Sequence, residues 1–116
     1  MTENQIQKAV FDHIRQRGVP GVIAFHPKNG GIHQRGRRRG INAGLGVKSG
    51  VSDIIALYRG KAYAIELKAE KGRPTVEQMQ FVSDWNSAGG FATIVVGLDQ
   101  ALKVLETWGL LRGGVS

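Results

Sequence analysis

Two strand-like runs, 51–58 and 61–69, flank the dipeptide Arg59-Gly60. Apolar and β-branched runs broken by a short Gly-containing pair are the mark of a β-hairpin. This hairpin limits the fold more than any other segment, because a turn fixes which residues of the two strands face each other. An even-numbered loop centred on Arg59-Gly60 sets Asp53 opposite Glu66, whereas a three-residue loop sets Asp53 opposite Leu67. Glu66 and Lys68 are two positions apart and share one face of their strand, while Ile65 and Leu67 point to the other.

Opposed carboxylates carry a physical cost. Directly facing side chains have Cβ atoms about 4.5–5.5 Å apart, and like charges so placed destabilise a sheet unless something neutralises them. A hard divalent cation does so economically, since Mg²⁺-type ions take one or two carboxylates and complete their shell with water and substrate phosphate. Lys68 beside such a pair is suited to steady a developing negative charge or to orient an attacking water. Asp53, Glu66 and Lys68 are therefore the candidate catalytic group.

The remaining segments surround the hairpin. The stretch 2–17 reads as a helix with Thr2 as N-cap, Gln5 completing a capping box, and Gly18-Val19-Pro20-Gly21 ending it. A lone Glu in a first helical turn is usually there for its favourable contact with the helix dipole, but Glu3 falls on the inward stripe of Ile6 and Val10, which keeps it as a candidate for the edge of the site. Gln7 lies near the same rim. A strand is expected over 22–26 and a long Gly- and Arg-rich loop over 27–50, with one helical turn near 37–43. A second helix is expected over 75–88, with Thr75 as N-cap and Gln78 in another capping box. A buried strand follows over 91–96, then a helix over 100–108 with Asp99 as N-cap. The order α-β-β-β-α-β-α describes an α/β fold, a mixed β-sheet flanked by helices. With 116 residues and no internal boundary, residues 1–116 are expected to form a single domain.

Charge indicates a partner. The net charge is +7, and no Asp or Glu occurs between His13 and Ser52. That stretch carries Arg15, Arg17, Lys28, Arg35, Arg37, Arg38, Arg39 and Lys48. Such a block suits a protein lying along a phosphate backbone, and it equally describes a solvated basic loop or a site for another polyanion. The absence of cysteine excludes disulfides and thiolate metal sites. No apolar run reaches the roughly 20 residues of a membrane span, and the first residues have no signal-peptide pattern, so a cytoplasmic protein is expected. His13, His26 and His33 lack metal-ligand spacing, and no Walker glycine pattern is present, so no nucleotide cofactor is expected.

At these residues the chain resembles the VRR-NUC family of the PD-(D/E)xK, restriction-endonuclease-like nucleases. The segments that carry the resemblance are His26-Pro27-Lys28-Asn29-Gly30-Gly31, Gly46-Val47-Lys48-Ser49-Gly50-Val51-Ser52-Asp53, Ile65-Glu66-Leu67-Lys68 and Thr75-Val76-Glu77-Gln78. Glu3 and Gln7 are similar to the family's first-helix positions, and Ser52 stands where the family often has proline. The resemblance implies a restriction-endonuclease-like fold and hydrolysis of phosphodiester bonds with Mg²⁺ or Mn²⁺. It also implies metal held by Asp53, Glu66 and the main-chain carbonyl of Leu67, with Lys68 assisting the water and Gln78 and Glu3 at the edge. Lys28, Asn29, Arg35, Arg37, Arg38, Arg39 and Lys48 would then touch DNA. Stand-alone members of this size resemble Holliday-junction resolvases, are mostly carried by phages or prophages, and act as homodimers on branched DNA. A second reading is a non-catalytic basic module that binds nucleic acid, and a third is a basic structural or ribosome-associated protein; both predict metal independence. Trp108, Leu110 and Leu111 near the C-terminus are either core or a dimer contact.

Overall fold

The computed structural model describes residues 1–28 and 44–113. Helix α1 (Glu3–Arg17) opens on the expected capping box: the Gln5 N–H donates to Thr2 Oγ1 and the Thr2 N–H to Gln5 Oε1, at 3.1 and 2.8 Å. At its other end the Gly18 N–H returns to the Ile14 carbonyl. Three strands follow: β1 (Ile23–Phe25), β2 (Ile54–Tyr58) and β3 (Lys61–Lys68). After helix α2 (Val76–Ser87), strand β4 (Phe91–Val96) runs directly into helix α3 (Gly97–Thr107).

The sheet order is β1-β2-β3-β4, with β1, β2 and β3 antiparallel and β3 and β4 parallel. The hairpin turn is two residues long, and Arg59 and Gly60 both have positive φ, at 50° and 78°. This is the combination that matches the right-handed twist of the flanking strands. The ladder pairs Tyr58 with Lys61 and Ile54 with Ile65, so Asp53 and Glu66 occupy the next facing positions, as the even-numbered loop requires.

Both early strands are shorter than the sequence suggests. β1 spans Ile23–Phe25 rather than 22–26, because past Phe25 the chain meets β2 through the His26 side chain, whose Nδ1 lies 2.6 Å from the Asp53 carbonyl oxygen. β2 begins at Ile54 rather than Val51. Before it, the Leu67 N–H is given to the Asp53 side chain, so the main-chain ladder ends there. The last helix also departs from expectation. It starts at Gly97, not near Gln100, and Val96 rather than Asp99 is the N-cap, with no side-chain cap bond. Gln100 instead reaches back and accepts the Val96 N–H at 2.9 Å, leaving Asp99 in the first turn, where its charge suits the helix dipole. The helical turn expected near 37–43 lies outside the described residues.

One face of the sheet carries the core. Ile54, Ala56, Tyr63, Ile65, Leu67 and Val95 pack against Ile6 and Val10 of α1 and Ala101 and Leu105 of α3. Leu110 and Leu111 belong to this core and Trp108 lies 5.0 Å from the Tyr63 ring, so the apolar C-terminal cluster is interior rather than a free contact surface. On the other face α2 covers β3 and β4, with Trp85 Nε1 donating to the Ala62 carbonyl.

β4 is an apolar edge strand, a form that invites pairing with other chains. Side-chain amides cover its outward main-chain groups at two positions, Ala92 and Val96. Asn86 Oδ1 accepts the Ala92 N–H at 2.7 Å, Asn86 Nδ2 donates to the Ala92 carbonyl at 3.1 Å, and Gln100 takes the Val96 N–H. Asn86→Ala should lower stability by about 1 kcal/mol and raise the tendency to self-associate, checked by urea unfolding and by light scattering on heating.

Candidate active site

The site forms where the β2–β3 hairpin meets the first turn of α1. Ladder parity puts Glu66 and Lys68 on the α2 face of the sheet, at the end of β3 away from the turn. Both are buried, Glu66 at 1% exposure and Lys68 at 6%. Burying two ionisable side chains side by side is costly without a purpose or a partner. Lys68 Nζ lies 3.6 Å from Glu66 Oε2 and 3.8 Å from Glu3 Oε2. Glu3 therefore joins the site from the helix N-terminus, and it also approaches the turn after β3, where a Cβ on Gly72 would lie 3.2 Å from Glu3 Oε2.

Asp53 is held from two directions. Its Oδ2 accepts the Leu67 N–H at 2.8 Å, which fixes the carboxylate against β3 and leaves Oδ1 outside that bond. Its carbonyl oxygen sits 2.6 Å from His26 Nδ1. A carbonyl only accepts, so Nδ1 carries the hydrogen and Nε2 faces away from this bond. From sequence, His26 is equally a phosphate contact or a structural hydrogen bond; the fold gives it the hydrogen bond, to the backbone of the central carboxylate.

The electrostatics centre on Glu66. Its carboxyl is pushed up to about 8, first by burial and then by the nearby Asp53 carboxylate, with Lys68 opposing the shift. Glu66 Oε1 is buried with no hydrogen-bond partner. An orphaned carboxylate oxygen beside a second carboxylate is the donor set a hard divalent cation completes. Among the described residues no cluster of three or more His, Cys, Asp and Glu side chains forms a metal cage. Two carboxylates with open positions are what an ion shared with water and phosphate needs.

Gly50 shapes the approach to Asp53. It has φ of 75°, and a Cβ there would come within 2.2 Å of the Glu77 carbonyl oxygen. The chain before Asp53 thus lies against the first turn of α2, a contact that no sequence pattern signalled. Gln78 completes the α2 capping box, its Oε1 accepting the Thr75 N–H at 2.9 Å and its own N–H donating to Thr75 Oγ1. Its amide is engaged at the helix end in this structure. Gln7 is half-buried on α1, and Lys28 and Lys48 are exposed. Asn29, Arg35, Arg37, Arg38, Arg39 and His33 lie outside the described residues. His13 accepts from Arg17 Nε at 3.1 Å on α1, far in sequence from any site residue.

No family model matches the sequence, and no curated protein matches it. Solved structures do. One, described as a VRR_NUC domain protein, superposes with a TM-score of 0.73 at 21% identity, covering 91% of this chain and 86% of that one. The chain has the VRR_NUC fold. A second structure, described as a VRR_NUC domain, gives a TM-score of 0.62 at 20% identity over 93% of this chain and 99% of its own. Both likenesses run through almost the whole chain.

The raised Glu66 carboxyl has a measurable consequence. Between about 4.5 and about 8 the folded protein keeps a proton that the unfolded chain has released. Stability of the metal-free protein should therefore fall as pH rises through that window, by up to roughly 1.4 kcal/mol per pH unit. Urea unfolding in chelator should show this decline in the wild type and a flatter profile in Glu66→Gln, in which the group no longer titrates.

Proposed function

We propose that the protein is a VRR-NUC family nuclease that hydrolyses DNA phosphodiester bonds with Mg²⁺ or Mn²⁺. The observation that carries this reading is the pairing of Asp53 with Glu66, whose buried Oε1 has no partner, beside the buried ammonium of Lys68. A purely structural hairpin gains nothing from two facing carboxylates, and a module that only binds nucleic acid has no use for them. The VRR_NUC fold of the structural neighbours supports the same reading.

Asp53, Glu66 and the main-chain carbonyl of Leu67 would hold the ion. When bound, it would neutralise the paired carboxylates, bind a non-bridging phosphate oxygen and make a water more acidic. This chain's residues perform the rest. The Leu67 N–H and the His26 ring fix Asp53 at both ends, so its free oxygen has a defined position. Lys68, held between Glu66 and Glu3, orients the water or offsets the charge that gathers on phosphorus as the water oxygen adds. The P–O bond to the leaving oxygen then breaks as the water gives up one proton, and the leaving oxygen takes up one in exchange, so that the elements of water are added across the bond. Glu3 restrains the Lys68 ammonium, while Gln78 holds the helix at the margin of the site. Exposed Lys28 and Lys48 both precede the hairpin in sequence and, with Asn29, Arg35, Arg37, Arg38 and Arg39, would meet phosphate.

The finer reading is branched DNA cut by a homodimer. Its support is the family resemblance together with symmetry: a four-way junction has a two-fold axis, and paired nicks need two active sites related by a matching axis. With Leu110 and Leu111 in the core, any dimer contact lies elsewhere. No helix among the described residues is long and apolar enough to cross a membrane.

The test is cleavage of labelled four-way junction, flap and linear duplex with Mg²⁺, Mn²⁺ or chelator. Wild type should cut only with metal. Asp53→Ala and Lys68→Ala should lose at least a hundredfold in rate, on the order of 3 kcal/mol of transition-state stabilisation, while binding DNA as tightly as wild type. Tight binding with no cutting of any substrate by wild type would leave the basic binding module as the account.

A further inference from the structure

Among the described residues, three apolar side chains on the α2 face of the sheet are exposed. Ile23 is 59% exposed, Phe25 49% and Leu57 48%. The β1–β2 register pairs Ile23 with Leu57 and Phe25 with Ile55, so these four residues form one block on the surface. Isolated exposed apolar residues need no explanation, but a contiguous block does. α2 covers β3 and β4, and among the described residues no helix packs over this part of the face.

The position of the block points to its occupant. Ladder parity places Ile55 and Leu57 on the same face as Glu66 and Lys68. Phe25 immediately precedes His26, whose ring touches the Asp53 carbonyl. Continuing the β1–β2 register, Phe25 is the diagonal neighbour of the Asp53 position, a separation of about 7–8 Å in an antiparallel pair. That is close to the spacing between successive nucleotides along an extended strand. The exposed aromatic residue thus occupies a strand position about one nucleotide from that of Asp53, one of the carboxylates that would hold the ion. The chain's charge of +7 and exposed Lys28, three positions beyond Phe25, suit a polyanion better than a second equally basic copy.

We propose that Phe25, with Ile23 and Leu57 as its apolar surround, is a stacking platform for an unpaired nucleobase of the DNA substrate next to the cleaved phosphate. A base inside a duplex has both faces stacked and gains nothing from Phe25. A base at a fork or flap junction has one face free, and base–aromatic stacking is sequence-tolerant because every base has a π-face. The platform would make the protein favour DNA with unpaired nucleotides at the branch. The inference rests on the nuclease reading for its geometry, but its test does not depend on cleavage.

The experiment is binding in chelator, so that no chemistry occurs. Fluorescence anisotropy would compare a splayed fork with blunt duplex of the same sequence, and 2-aminopurine at the first unpaired position would report stacking. Wild type should bind the fork more tightly and quench the 2-aminopurine. Phe25→Ala and Phe25→Leu should weaken fork binding about tenfold, within the range measured for loss of one stacked base, and abolish the quench with duplex affinity unchanged. Phe25→Leu keeps the apolar surface and guards against a folding defect. Phe25→Trp should restore fork binding, with its own emission quenched by the fork. The proposal is overturned if both small variants keep the wild-type fork-to-duplex ratio. It is equally overturned if the variants instead lower the sedimentation coefficient of the free protein, since the block would then be covered by a second copy. Should wild type show the fork preference and the quench yet cut nothing with Mg²⁺ or Mn²⁺, the platform stands and the nuclease reading falls.

Discussion

The structure depends on a hydrogen bond at the open end of the hairpin, in which the Asp53 carboxylate accepts the Leu67 N–H. It ends the β2 ladder at Ile54, three residues short of the expected start at Val51. It also turns a side chain that would project from the sheet into one held against β3. As a consequence, Asp53 faces Glu66 at short range inside the fold, and the two cannot both be ionised there without compensation. The high Glu66 carboxyl and its orphaned oxygen are two expressions of that one arrangement. Lys68 offsets part of the charge, and Glu3 on α1 draws the same ammonium from the other side.

The surrounding architecture holds this strained group in place. The core lies on the opposite face of the same strands, so Ile54, Ile65 and Leu67 anchor the backbone from which Asp53, Glu66 and Lys68 are presented. A rigid hydrophobic layer behind a polar site keeps carboxylate positions from relaxing apart, as uncompensated like charges otherwise would. Three further contacts restrain its rim: His26 on the Asp53 carbonyl, Gly50 against the first turn of α2, and Glu3 near Gly72. The far edge of the sheet is treated differently, with Asn86 bonded to the Ala92 main chain and Gln100 to the Val96 N–H. Among the described residues, side-chain amides at Ala92 and Val96 partly protect the β4 edge, while an apolar block over β1 and β2 is exposed beside the site.

Much of this was legible in the residues. The Arg59-Gly60 turn sets the register, and the register sets Asp53 against Glu66; a single local feature thus determines a contact between residues 13 apart in sequence. The two Thr-to-Gln capping boxes likewise mark their helix starts because the bonds they need are confined to four consecutive residues. What could not be read depends on partners distant in the chain. β2 stops early because Leu67 offers its N–H to a side chain, and β1 stops early because His26 meets Asp53. The last helix starts at Gly97, where β4 runs straight into it, and Gln100 reaches back to the Val96 N–H, a contact between helix and strand that the Asp99 pattern did not signal. Leu110 and Leu111, equally compatible with an interface, are core because the chain after α3 turns back beneath the sheet and is tied there, with the Val19 N–H bonded to the Leu110 carbonyl.

The central claim is that Asp53 and Glu66 together hold a divalent cation. Its most direct test is anomalous diffraction from crystals of the wild-type protein soaked in Mn²⁺. The account predicts a single strong peak within bonding distance of both carboxylates, absent from Glu66→Gln crystals treated in the same way. A peak elsewhere, or none between these two residues while the wild-type protein still cleaves DNA with Mn²⁺, would contradict it.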